Sequence, residues 1–86
     1  MKIYLIKGCT GEYDDYREWD VVAYQSEKKA KYRLSLLEEF SKEFNEGVYD
    51  KYFKKGFRDI KNPFDPHMHS NYTGVWYKME EVDYED

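Results

Sequence analysis

Five apolar residues, Ala30, Leu34, Leu37, Phe40 and Phe44, recur at steps of four, three, three and four. On an α-helix they form one stripe, wide enough to pack on a sheet, and no strand can gather them on one side. Ser26 stands ahead of the stripe as an N-cap, and Glu27 sets a negative charge at the positive end of the helix dipole. Gly47 is placed to end the helix. The opposite face carries Lys28, Lys31, Glu38, Glu39 and Lys42, a pattern that reads as a solvated surface. Beyond Gly47, the spacing of Val48, Tyr49, Tyr52 and Phe53 suits a second short helix or an irregular turn, stopped at Gly56.

A helix with one apolar stripe needs a second layer, and three segments rich in β-formers supply it. Lys2 to Lys7 and Arg17 to Tyr24 read as two strands joined by a loop that holds Gly8, Gly11, Asp14 and Asp15. Asn62-Pro63 and Asp65-Pro66 stop any helix, because each proline lacks an N–H and pushes the residue before it out of the α region. Lys61 to Gly74 is therefore a loop, and Val75 to Val82 is the third strand, with Val75, Tyr77 and Met79 on one face. The resulting fold is α+β in ββαβ order. It is a single domain, a three-stranded antiparallel sheet with the first strand in the middle and the main helix across one face. Simple alternation puts Ile3, Leu5, Trp19, Val21, Val75 and Tyr77 under the helix. Tyr4, Ile6, Val22, Tyr24 and Trp76 then fall on the uncovered face, an apolar area that asks for a partner, a dimer mate or the 61–74 loop.

At 86 residues the chain has little room for a deep catalytic cleft. Ten tyrosines, five phenylalanines and two tryptophans exceed what so small a core needs, and their rigid bodies with polar tips suit interfaces. The net charge of −4 comes from 14 basic and 18 acidic residues, a mixture that argues against a surface built to imitate DNA. One cysteine, Cys9, precludes an intrachain disulfide and points to a reducing, cytoplasmic setting, where the sequon Asn71-Tyr72-Thr73 has no meaning. No membrane-spanning run occurs.

Three groups of residues could carry a function. Tyr13, Asp14, Asp15 and Tyr16 make an acidic, aromatic loop tip which, with Tyr4, Tyr24 and Trp76 on the uncovered face, can anchor a protein partner. A second acidic cluster, Glu80, Glu81, Asp83, Glu85 and Asp86, falls at the opposite end of the sheet in this topology. Lys54, Lys55 and Arg58 interleave with Tyr52, Phe53 and Phe57, so that cations could hold phosphates while rings stack on bases; this is the nucleic-acid alternative. Asp65, His67 and His69 share a period of two and would project together from an extended segment as weak metal candidates, the basis of a second alternative, a small metal-binding enzyme. Short His-x-His pairs in loops are more often solvated, and no other His cluster completes the set. Cys9 between Gly8 and Thr10 reads as a small buried hydrophobe rather than a nucleophile. No cofactor motif is present, and the reading is of a non-enzyme.

The residues Gly8, Thr10, Gly11, Glu12, Tyr13, Asp15, Glu18 and Trp19, then Ser26 and Glu27, then Asn62, Pro63, Asp65, Pro66, Tyr72, Thr73, Gly74, Tyr77, Glu81 and Val82 form a pattern that resembles small uncharacterised proteins of bacteriophages and prophages. The likeness spans both ends of the chain and supplies an origin without an activity. It implies, by analogy with small acidic phage proteins, a host-cell protein as partner and inhibition by surface occlusion in the host cytoplasm.

Overall fold

The computed structural model describes residues 1–11, 14–54, 62–69 and 74–85, and of 47–54 the backbone alone. Strand β1 (Lys2–Thr10), strand β2 (Arg17–Tyr24), helix α1 (Glu27–Lys54) and strand β3 (Val75–Asp83) follow one another along the chain. The sheet order is β2-β1-β3, antiparallel throughout, so the first strand is central and the fold is the α+β arrangement expected. Ser26 caps α1 as its sequence position requires: its Oγ accepts from Lys29 N at 3.2 Å and its carbonyl from Ala30 N at 3.0 Å. Ala30, Leu37 and Phe44 are buried, Leu34 and Phe40 half-buried, and the rings of Phe40 and Phe44 stack 6.0 Å apart.

Gly47 does not end the helix. It lacks only a side chain, not a peptide N–H, so its cost of about 1 kcal/mol against alanine does not break a ladder flanked by helix-forming residues, and α1 runs on to Lys54. The residues foreseen as a separate helix thus begin as its last turns, while Gly56 lies outside the described residues.

The covered face of the sheet also differs from simple alternation. Lys7 pairs with Asp20 but Ile6 pairs with Val22, so Val21 is an extra residue, a β-bulge, in β2. Trp19 precedes the bulge and Val22 and Tyr24 follow it, and all three come to the same side, opposite Gly8, Ile6 and Tyr4. Thr10, Gly8, Ile6 and Tyr4 of β1 and Val75, Tyr77 and Met79 of β3 complete the face that packs on α1. Ile3 and Leu5, expected under the helix, are on the other face with Cys9, Ala23, Trp76 and Val82.

Segment 62–69 packs beside α1 against the first face rather than folding over the second. Asn62, Asp65 and Met68 are buried. Each proline is the middle residue of an Asx turn: Asn62 Oδ1 accepts from Phe64 N and Asp65 Oδ1 from His67 N, both at 3.0 Å. Two such turns in tandem aim both Asx side chains inward. Arg33 of α1 holds the segment by donating to the carbonyl of Phe64 and, at 3.4 Å, to Tyr24 Oη.

Candidate functional site

The second face of the sheet is built by alternation from β1, β2 and β3. Lys7 lies opposite Lys78 on one side and Asp20 on the other. Two adjacent ammonium groups repel unless an anion stands between them, and Glu18 supplies it. Lys7 Nζ lies 2.8 Å from Glu18 Oε1, and Lys78 Nζ lies 3.1 Å from Oε2. Tyr16 Oη donates to the same Oε2 at 2.8 Å. Asp20 and Glu80, each 3.8 Å from a lysine, extend the row into a charged belt across the sheet. On one side of the belt are Ile3, Leu5, Ala23 and Val82; on the other, toward the β1–β2 loop, Cys9 pairs with Trp76 beside Tyr16. Trp76 and Tyr16 are 45% and 47% exposed.

The three donors set the electrostatics of the belt. Hydrogen bonds from Lys7 first, then Tyr16 and Lys78, bring the Glu18 carboxyl down to about 2, from an ordinary 4.5. The same bond, with burial second, pushes the Tyr16 phenol up to about 12. A carboxyl depressed on folding contributes stability that is complete above 4.5 and is lost as pH falls from there toward about 2. A carboxyl-carbon NMR titration should therefore place the Glu18 midpoint near 2, and Lys7→Met should move it back toward 4.5. An unmoved midpoint in the variant would show that Lys7 is not the main cause.

The other sequence-predicted residues are dispersed. Asp14 and Asp15 are exposed in the β1–β2 turn, while Tyr13 lies outside the described residues. Tyr4 and Tyr24, expected on the open face, are half-buried on the α1 side: Tyr24 because the bulge reverses the alternation of β2, Tyr4 because the β1–β3 register sets the even residues of β1 beside Val75, Tyr77 and Met79. Lys55 and Arg58 lie outside the described residues, and of Lys54 only the backbone is described.

The candidate metal set is broken up by its two turns. Asp65 points inward, fully buried, and its Oδ2 accepts from Trp19 Nε1 at 2.8 Å and from Tyr77 Oη at 2.9 Å. Burial first, and the Asp65 carboxylate second, hold the Tyr77 phenol well above its usual range. His67 and His69 are exposed instead. They border an open hollow of about 530 Å³ with Asp20, Pro66 and Trp19, and the His69 ring meets the Trp19 indole edge-on at 5.3 Å. Among the described residues, no three His, Cys, Asp or Glu side chains are grouped closely enough to hold a metal ion.

Sequence reasoning missed the belt. Its signal was available in the register: with β1 central, Lys7 must neighbour residues of both outer strands, and Glu18 and Lys78 are the opposite and like charges nearest to it. Among the described residues, no helix is long and apolar enough to cross a membrane. No family model, no curated protein and no solved structure matches the chain.

Proposed function

We propose that this chain is a non-catalytic protein-binding module that uses the open sheet face, with Trp76 and Tyr16 as anchors and the Lys7–Glu18–Lys78 belt as the polar boundary beside them. One observation carries the reading: two large aromatic residues stand nearly half-exposed next to a charged row whose members already satisfy one another. Aromatic side chains on a rigid strand offer large contact area at low entropic cost, and a pre-paired belt needs little rearrangement on docking. Asp14 and Asp15 at the adjoining turn add negative charge that speeds encounter with a basic partner. The resemblance to small phage proteins supports a host-cell protein as the partner, bound in the host cytoplasm and inhibited by occlusion.

The test compares immobilised wild-type protein with Trp76→Ala and Tyr16→Ala in capture from host lysate, followed by titration of the captured protein. Truncating an interface anchor costs about 2 kcal/mol or more, a loss of roughly thirtyfold in affinity. Unchanged capture by both variants would reject the open face as the binding surface.

A further inference from the structure

We propose that the outer edge of β3 pairs with the same edge of a second copy, joining two three-stranded sheets into one of six. The two edges of the sheet are not equivalent. The β2 edge is interrupted by the bulge at Val21, whereas β3 keeps an unbroken register with β1 from Lys2↔Asp83 to Thr10↔Val75. Bulged edges resist further pairing, and long regular edges invite it.

The direction of the peptide groups in β3 follows from two contacts. Tyr84 N donates to Met1 O at 2.8 Å, so the even-numbered residues of β3 turn their N–H and C=O toward β1. The odd-numbered ones face outward. Val75 agrees: the Asn45 side chain accepts from its N–H at 2.8 Å and donates to its C=O at 3.0 Å, making the two bonds that a neighbouring strand would make. Asn45 thereby closes the edge at Val75 and, among the described residues, leaves Tyr77, Met79 and Glu81 to present outward N–H and C=O groups.

Outward groups on odd residues require odd to lie opposite odd, and the sequence then selects one register. With the two-fold axis at Met79, Tyr77 pairs with Glu81 of the second copy, and Met79 with Met79. On the open face, Lys78 lies opposite Glu80, and Trp76 opposite Val82. The ion pair and the apolar pair each occur twice by symmetry. Moving the axis to Lys78 sets lysine against lysine, and moving it to Glu80 sets glutamate against glutamate, each a destabilising arrangement. A β-strand that carries charges to discourage pairing would repel itself in every register; this one is self-complementary in the register centred on Met79. The proposal stands apart from the open-face reading: the seam engages Trp76 and Lys78 on β3, while Glu18 and Lys7 on β2 and β1, and Tyr16 just before β2, lie away from that edge.

Sedimentation equilibrium on the full chain, with amide hydrogen exchange on the same samples, tests it. Wild type should sediment as a dimer whose dissociation increases with salt, and the Tyr77, Met79 and Glu81 amides should slow as protein concentration rises. Glu80→Lys alone and Lys78→Glu alone should each weaken the dimer roughly tenfold, about 1.4 kcal/mol. An equimolar mixture of the two should associate again, because each then meets the opposite charge. Glu81→Pro removes an outward N–H at an exposed position and should abolish the dimer with the circular dichroism of the sheet retained. A wild-type monomer at all concentrations, a dimer without slowing of the three amides, or variants that fail to complement would each overturn the proposal.

Discussion

Asp65→Ala should lower the unfolding free energy by about 3–5 kcal/mol, because it strands two buried donors at about 1–3 kcal/mol each and leaves a void. Trp19 Nε1 and Tyr77 Oη both donate to Asp65 Oδ2, so one oxygen joins β2, β3 and the 62–69 segment. Against a total of about 4–13 kcal/mol for a chain of this size, that loss comes close to unfolding the protein. Asp65→Asn separates geometry from charge. The oxygens of Asp65 accept on both sides, with His67 N on Oδ1. A carboxamide has one oxygen and one NH₂, so either the aromatic donors or the His67 N–H must face a second donor. The expected cost is about 2 kcal/mol, measured by urea denaturation with the indole N–H resonance as a local reporter. A variant as stable as wild type would refute this accounting of acceptors.

Gly8→Ala should cost about 3 kcal/mol, although it adds a single methyl group. A Cβ at Gly8 would stand 2.5 Å from Cε2 and Cζ2 of Trp19. The indole cannot move aside freely: it is tied to Asp65 and meets Tyr77 edge-on, with ring centroids 6.5 Å apart. The methyl therefore displaces the indole and its hydrogen bond together. In a Trp19→Leu background the same substitution should cost less than about 1 kcal/mol, since contacting residues are non-additive. Equal costs in both backgrounds would place the strain of Gly8→Ala elsewhere.

These two sites mark where the sequence was legible and where it was not. The helical stripe from Ala30 to Phe44, the Ser26 cap and the third strand at Val75 were readable because each rests on local periodicity or local chemistry. The central position of β1 followed from the order of the elements. The covered face was misread in β2 because alternation assumes one residue per register position, and the extra Val21 reverses the phase of Val22 and Tyr24; in β1 it was misread because Ile3 and Leu5 are as apolar as Tyr4 and Ile6, so alternation does not choose between the two faces. Gly47 was misread because a glycine permits a helix end without compelling one. For Asp65, spacing to His67 and His69 suggested a shared side, but each Asx-Pro turn rotates the chain, and the partners Trp19 and Tyr77 are distant in sequence. At the candidate site, exposure of Trp76 was foreseen from the third strand alone, whereas Glu18 was visible only as one acid among several until the strand register set it between two lysines.

The surplus residue in β2 has a further meaning. With Val21 removed, Trp19, Asp20, Val22, Ala23 and Tyr24 alternate without interruption, inward and outward in turn. Pairing and polarity thus need one residue fewer than the strand contains. What the extra length provides is curvature: a bulge bends its strand and sharpens the local twist, here between the half of β2 that serves the 62–69 segment through Trp19 and the half that serves α1 through Val22 and Tyr24. One inserted valine lets a single short strand line two differently oriented neighbours, a helix and a loop, without a second sheet to hold them.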